Sequence, residues 1–469
     1  MKRWVRTLVL CLSVVAFCVP VAAYAFNTEF HGYLESRAIF RDVDGAQYGF
    51  FDDNYGVQWI QELQMDMTVH PEYPEGKPDL RLDKVFFRYR GSYDAIYDLT
   101  DRYDDVPEND EGKFRPGRRT LKLDQDLREA FADIVYEKRG QFRSNLRLGK
   151  QIVQWGEADV FNLINIVNPN DYYNKAFFSL PEQLLAPLWM GRYDLVVPTS
   201  GFFSDFNLQL LAIPDVRPHV FGPANGPYNA VPLDHNIDGA MFKNTEFGVR
   251  LGATTLASAV YLYYFDGYQD GPAVNLNTYE LDHPDTKTMG YSFSRFFDTG
   301  NFVLRGEGSL TQDKSFQDFE TMATGGPGYS QHDFYQVLFG IDKTLSGWAP
   351  GTDSALTTAV QIYYSKIDDY DEDADLGRVA PEENWRGTLL LTTDYIHGTL
   401  TPTISLMYDS EDALLTYLEL KWSPHGTWYA TVSGAAIWGE AVNPGDIYGD
   451  YNPYIDTQSE VQFKVGYQW

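Results

Sequence analysis

The sequence predicts an all-β fold: a transmembrane antiparallel β-barrel of about 16–18 strands, with long extracellular loops and short periplasmic turns. Three observations carry that prediction. An export signal opens the chain, short and long connections alternate along it, and its last segment is an alternating strand that finishes on an aromatic residue.

At the N-terminus, Lys2, Arg3 and Arg6 precede an apolar run from Leu8 to Val21, and Ala23-Tyr24-Ala25 has the small-x-small pattern of a cleavage site. Residues 1–25 are therefore expected to be a signal peptide, leaving 26–469 as one barrel domain. Both cysteines, Cys11 and Cys18, fall inside that peptide. A lipoprotein reading fails because bulky Phe17 precedes Cys18 and Cys11 lies too early in the apolar run. A mature chain without thiols needs another source of stability, and a closed, fully hydrogen-bonded sheet supplies one.

Composition sets further bounds. Beyond the signal no stretch approaches the ~20 uninterrupted apolar residues of a membrane helix, so any crossing must be made by strands. Aromatic residues make up 16% of the chain, with 33 Tyr and 30 Phe, which suits aromatic girdles at two membrane interfaces. Removal of Lys2, Arg3 and Arg6 takes the formal net charge from -29 to -32, which argues against nucleic acid as a partner.

Period-2 runs bounded by turn residues define eighteen candidate strands. The first covers residues 26–41, the second 55–69 and the third 79–93. The others lie near 127–138, 141–151, 190–198, 203–214, 244–253, 256–266, 287–297, 300–310, 331–344, 354–366, 385–396, 399–409, 412–423, 425–438 and 457–469. Even-numbered connections are mostly tight, as at Arg139-Gly140, Thr199-Ser200-Gly201, Asp298-Thr299-Gly300, His397-Gly398 and Pro424-His425-Gly426. Odd-numbered ones are mostly long and polar, as at 94–126, 152–189, 215–243, 267–286 and 367–384. A soluble sandwich has no reason to sort its loops this way. In an outer-membrane barrel the short turns and both termini face the periplasm.

Several strands assign their own faces. In the last, Val461, Phe463, Val465, Tyr467 and Trp469 alternate with Glu460, Gln462, Lys464 and Gln468. Phe463, Tyr467 and Trp469 read as the assembly signal presented to the barrel-assembly machinery. In the second, Val57, Trp59, Leu63, Met65, Met67 and Val69 face lipid, placing Glu62 and Asp66 in the lumen. In the fifth, Arg143, Asn145, Arg147 and Gln151 point inward, and the same phase puts Lys150 on the lipid face near one end, where it can snorkel. The third strand changes phase near Asp83-Lys84, which predicts a bulge; beyond it Lys84, Arg88 and Arg90 share a face.

Charge on the lipid side of a barrel costs about 2–4 kcal/mol for Arg or Lys at the midplane, so these clusters are expected to line the interior. The expected pore lining is Glu35, Glu62, Asp66, Lys84, Arg88, Arg90, Arg143 and Arg147, with cations on strands three and five beside carboxylates on strands one and two. Two readings follow. One is a water-filled pore with a transverse field that selects solutes by charge; the other is a packed lumen in which the same residues pair with one another. The width enclosed by eighteen strands favours the first.

Gly149-Lys150-Gln151-Ile152-Val153-Gln154-Trp155-Gly156-Glu157, followed by Asn165-Ile166-Val167-Asn168-Pro169, carries a family resemblance. It resembles the porin-like proteobacterial outer-membrane barrels known as a domain of unknown function, whose recurring stretch is Gly-[Arg/Lys]-Gln, then Trp-Gly-Glu, then Asn-Pro. The resemblance is moderately specific over about forty residues around this stretch, and the barrel layout extends it loosely to the whole mature chain. It implies an outer-membrane location, a barrel fold and a general transport role, with no defined substrate. After Pro169 this chain reads Asn170-Asp171-Tyr172-Tyr173, where the pattern no longer guides the reading.

That stretch opens the longest loop. Trp155, Gly156, Glu157, Asn168 and Pro169 stand in its first part, and the segment from Lys175 to Met190 is too apolar for a loop in water. Phe177, Phe178, Leu184, Leu185 and Trp189 are expected either to fold into the barrel mouth as a constriction or to pack as a cap on other loops. A constriction of that kind favours an amphipathic or hydrophobic solute.

Elsewhere, Asp371, Asp373, Asp375 and Glu382 match calcium-loop positions one, three, five and twelve, with the turn glycine displaced by one and no flanking helices. The plain reading is a solvated acidic loop; the other is a surface Ca²⁺ site or a bridge to lipopolysaccharide. No Gly-x-Ser-x-Gly, His-Glu-x-x-His or phosphate-loop motif is present, so no enzyme and no cofactor is expected. The eight histidines are scattered, and only His31, on the inward phase of strand one, invites attention. The expected function is passive diffusion of small solutes. The expected partners are membrane lipid and lipopolysaccharide, the assembly machinery and the solute. A scaffold barrel sheathing or anchoring a periplasmic partner, such as an electron-transfer protein, is the alternative, ahead of a barrel enzyme.

Overall fold

The computed structural model describes residues 25–43, 55–73, 76–101, 103–110, 114–161, 163–172, 184–199, 201–223, 233–255, 257–352, 354–370, 380–410, 413–438 and 458–469. The signal read over residues 1–25 lies outside them except for Ala25, as do Phe177, Phe178, Asp371, Asp373 and Asp375.

Strands that alternate in polarity over nine or more residues have one face for lipid and one for water, and they satisfy their backbone only by closing on each other. Eighteen do so in a single antiparallel sheet. They are β1 (Ala25–Val43), β2 (Tyr55–Glu72), β3 (Leu80–Asp94), β4 (Leu123–Lys138), β5 (Phe142–Gln151), β6 (Leu188–Pro198), β7 (Asp205–Ile213), β9 (Glu246–Thr254), β10 (Ser258–Tyr268) and β13 (Asp285–Phe297). The circle continues with β14 (Phe302–Gln317), β15 (Tyr329–Leu345), β16 (Leu356–Ile367), β17 (Glu383–Thr392), β18 (Leu400–Asp409), β19 (Ala413–Trp422), β20 (Trp428–Trp438) and β21 (Gln458–Gln468). Each pairs with its neighbours in sequence, and β21 pairs with β1 to close the barrel. Every one of the eighteen expected strands is present. Three short strands, β8 (Asp234–Asn236), β11 (Ala273–Asn275) and β12 (Glu280–Asp282), form a separate small sheet within segments read as loops. Among the described residues no helix is long and apolar enough to cross a membrane.

The expected phase break in β3 is present, as a register shift against β4 between Leu82 and Lys84. A second shift, between Arg88 and Tyr89, leaves Arg128 as the extra residue of β4. This second bulge corrects the placement of Lys150. With Asp126 and the Leu127 carbonyl carried next to it, the Lys150 ammonium is buried and donates to both at 2.8 Å, so it does not snorkel into lipid.

In β21 the outward phase is exposed at Val461, Phe463 and Val465 while Glu460 and Gln462 are buried. Tyr467 packs between Trp428 and Trp469, with ring centroids 5.0 and 6.1 Å away. Trp469 and Gly32 exchange backbone hydrogen bonds at 3.1 and 3.3 Å, the last rung of the closing ladder. Deleting Tyr467-Gln468-Trp469 removes that rung and both aromatic contacts. The truncated chain is expected to be degraded or to remain periplasmic, read as loss of the heat-modifiable band in outer-membrane fractions; a normal band would contradict this role.

Candidate functional site

The loop that follows β5 does not stay at the mouth. β5 is the fifth barrel strand and β17 the fourteenth, half of an eighteen-strand circumference away, and the segment from Trp155 to Phe161 reaches across between them. Trp155 leaves β5 and is buried against Tyr263 and Phe265 of β10, while its indole N–H donates to Gln209 of β7 at 2.7 Å. Phe161 meets Tyr363 of β16 edge-on at 4.9 Å, with the Arg386 guanidinium of β17 5.1 Å from its ring centre. The near and far walls are thus joined by one strand of loop.

Two wall residues of β14 fix the crossing. The Glu307 carboxylate accepts the Glu157 N–H at 2.5 Å with one oxygen and the Ile164 N–H at 2.9 Å with the other. Arg305 grips Asp159 through two N–H groups, at 2.7 and 2.6 Å, donates to the Glu157 carbonyl at 2.9 Å, and holds Asp342 of β15 at 2.7 Å. Gln361 of β16 accepts from the Asp159 N–H at 3.1 Å. Gly156 has φ +86°, and a Cβ there would lie 2.5 Å from a Glu307 carboxylate oxygen, so any side chain would push the loop off its anchor. The Trp-Gly-Glu triplet therefore has a physical meaning: an aromatic wedge, a bare backbone, and N–H groups aimed at a wall carboxylate. Burial pushes the Glu157 carboxyl above its ordinary value, against the lowering effect of Arg305.

Asn168 closes the loop at its root. It is buried, accepts the Val153 N–H at 2.8 Å and donates to the Ala186 carbonyl at 2.9 Å, while the Pro169 carbonyl accepts from Ala186 at 2.7 Å. Leu185 is buried in a bridge to Asn170, its carbonyl taking a 2.6 Å bond from Arg128, and Trp189 stands in β6. Leu184, Leu185 and Trp189 thus stand where the loop returns to β6, and among the described residues the crossing is made by Trp155 to Phe161.

The expected lumen charges interleave from strand to strand and pair with one another and with carboxylates of β4. Arg88 holds Asp66 at 2.6 Å on one side and Glu129 of β4 at 2.9 Å on the other. Asp133 of β4 takes Arg147 at 2.7 Å and Lys84 at 3.8 Å, and Arg147 lies 3.8 Å from the Phe131 ring centre. Glu62 accepts from Tyr33 and sits 3.9 Å from Arg37, and Glu35 accepts from Tyr429 at 2.7 Å. Arg90 is buried, and Arg143, more than half exposed, is 3.9 Å from Asp83. The reason is β4, whose inward phase puts Glu129 and Asp133 between the two cationic strands. Glu382 pairs with Lys366 at 3.2 Å, and among the described residues no group of three metal-binding side chains occurs.

Sequence reasoning missed Glu307, Arg305, Gln361, Gln209 and Arg250. The last is inward by register, since Arg250 of β9 pairs with Gln209 and with Tyr263, both of which touch Trp155. Its guanidinium lies 5.1 Å from the Tyr261 ring centre and has no carboxylate partner among the described residues.

Over the extracellular mouth the loops are stitched together. β8 and β12 pair in parallel, and Asp282 accepts from Asn236, Asn275 and Tyr329 at 2.9, 2.7 and 2.9 Å. His283 donates through Nδ1 to the Gln269 carbonyl at 2.8 Å, which leaves its Nε2 to accept from His235 Nδ1 at 2.9 Å. The Phe114 ring packs on His235, and Arg115 reaches Asp234 at 2.9 Å. The Asn170 N–H donates to His219 at 2.9 Å, tying the crossing loop to the same cap.

A family model described as a protein of unknown function, DUF1302, matches residues 76–469. The chain belongs to the DUF1302 family. No functionally curated protein sequence matches it. Its fold is shared with OccAB1 of Acinetobacter baumannii, at 9% identity and TM-score 0.51 over 96% of this chain and 98% of that one. OccK8 (OprE) of Pseudomonas aeruginosa is similar at 10% identity and TM-score 0.52 over 94% and 98% of the two chains. OccK2 (OpdF) of the same organism, solved in complex with glucuronate, gives 8% and 0.50 over 94% and 98%. The family match thus agrees with the porin-like resemblance, and the structural likeness is one of fold.

The histidine pair makes the cap acid-sensitive. Burial, foremost, together with the neighbouring His283, His219 and Arg115, pushes His235 down to about 3, and burial pushes His283 down to about 4. Both values lie below the ~6.5 of a free imidazole, so the opened loops bind protons more readily than the closed cap. Cap stability is therefore complete above about pH 6.5 and falls as the pH drops toward 4. Hydrogen exchange corrected for intrinsic rate should show protection of 233–241 and 273–284 falling between pH 7.5 and 4.5 while strand protection persists. Equal protection at both would contradict the assignment.

Proposed function

We propose that this barrel is an outer-membrane channel for passive diffusion of small solutes, with the Trp155–Phe161 crossing as its constriction. The observation that carries the reading is the crossing itself. An eighteen-strand barrel is wider than its own side chains can fill, and a loop anchored to opposite walls narrows that width to a sieve. The apolar side chains of the crossing are spent on the walls, where Trp155 and Phe161 are buried. What remains for a solute is polar, and Arg250 beside the root of the crossing is an inward guanidinium without a carboxylate partner among the described residues. An anionic group on a small, amphipathic solute fits that position, with the Tyr261 ring beside it as an apolar shelf. The glucuronate held by OccK2 is a solute of that charge.

The scaffold reading is disfavoured by the same crossing, which occupies the path that a sheathed electron carrier would need. Arg250→Glu tests the proposal. In planar bilayers with a salt gradient the wild-type barrel is expected to conduct with a preference for anions, and the variant's reversal potential should move toward cations. Unchanged reversal potentials would remove Arg250 from the path, and a wild-type barrel that does not conduct would remove the channel.

A further inference from the structure

The closing ladder of the barrel is shorter than the strand it closes on. β21 pairs with β1 from Val43 back to Tyr33, and Trp469 meets Gly32 in the last rung. β1 continues past that rung, with residues 25–31 paired to β2 from Glu72 to Asp66 on one side. On its other side none of the described residues pairs with it. Gly32 directs both its N–H and its C=O toward β21, and backbone groups of an antiparallel strand repeat every second residue. Phe26, Thr28 and Phe30 therefore point their peptide groups at the open edge. Their side chains share one face, where Phe26 is 60% and Phe30 62% exposed. Asn27, Glu29 and His31 share the other and are exposed as well. Glu29 and, on the adjoining strand, exposed Glu72 have no ion partner among the described residues, so this face of the edge is acidic.

An open, largely apolar edge of this kind is a template for another strand, and folded proteins normally blunt or cover one. A second copy of this barrel does not fit. Barrel strands tilt about 35–45° from the membrane normal, so a two-fold axis along the normal sets the two β1 strands crossing at roughly 70–90°. Antiparallel pairing would require one barrel to be inserted upside down. Since the edge lies on the rim of the short turns, we propose that residues 26–31 of β1 are a docking strand for an extended segment of a periplasmic protein. That segment adds to the sheet in β-strand fashion, with apolar side chains opposite Phe26, Thr28 and Phe30 and basic ones opposite Asn27, Glu29 and His31. Main-chain hydrogen bonds supply the affinity, and the Glu29 and Glu72 carboxylates select for the basic face.

The test uses the full-length barrel in detergent and a fluorescent heptapeptide of alternating Val and Lys with Val at both ends. The peptide is expected to bind saturably. Replacing its lysines by Glu, or methylating the N–H of a valine that faces the edge, should each weaken binding about tenfold or more. Thr28→Pro removes an edge N–H without touching the β2 ladder and should have the same effect. Glu29→Lys, which leaves the backbone intact, should abolish the preference for Lys over Glu peptides. Absence of saturable binding, equal binding of the methylated peptide, or indifference to both substitutions in barrels that remain heat-modifiable would overturn the proposal. In cells, a photo-cross-linking residue at position 28 should give a periplasmic protein adduct that Glu29→Lys diminishes; adducts with phospholipid or lipopolysaccharide alone would overturn it too.

Discussion

An unpaired peptide group in lipid costs several kcal/mol, and the pairing of β21 with β1 is what removes that cost around the whole circumference. Everything else in the structure follows from closure. A closed sheet forces alternate residues outward, so lipid meets Phe463, Val465 and their counterparts while carboxylates and guanidiniums are sent to the interior. Eighteen strands enclose a width that wall side chains alone do not fill, and the Trp155–Phe161 segment of backbone lies within it.

The position of that segment depends on how a loop is held inside a polar barrel. A crossing made of apolar side chains alone would slide along the wall. Here the aromatic contacts of Trp155 and Phe161 supply burial, and Glu307 and Arg305 supply direction, since hydrogen bonds to charged groups are stronger than neutral ones and fixed in geometry. Gly156 permits the backbone to approach Glu307 closely enough for this, and Gly248 leaves the room on β9 that the Trp155 ring occupies. The belt of pairs from Asp66 through Arg88, Glu129, Asp133 and Arg147 neutralises the near wall, which makes Arg250 stand out.

The fold was legible because a strand in lipid has a rigid code: the eighteen segments, the sorting of loops and the bulge at Asp83 all follow from period-2 alternation and its interruptions. The Lys150 face was misread because the bulge that moves its partner lies in another strand, at Arg128 of β4; the adjacent charges Arg128-Glu129 do break the alternation there, but nothing within β5 itself registers the shift. The apolar segment ending at Trp189 was read as a constriction or a cap; among the described residues the part of the loop that crosses is Trp155–Phe161, since apolarity announces burial but not where. Its anchors were readable in principle, since Arg305 and Glu307 share one phase in a strand flanked by lipid-facing residues, the same argument that placed Arg88 and Arg147. The pairing of that wall with Gly156 and Glu157, 150 residues away, has no local signature.

Single-channel conductance of the purified barrel in planar bilayers, compared with a variant in which residues 156–164 are replaced by a short Gly-Ser linker, tests the central claim most directly. A small wild-type conductance that rises severalfold in the variant is the predicted result. A conductance unchanged by the deletion, in a variant that still assembles as a heat-modifiable barrel, would contradict the assignment of this segment as the constriction.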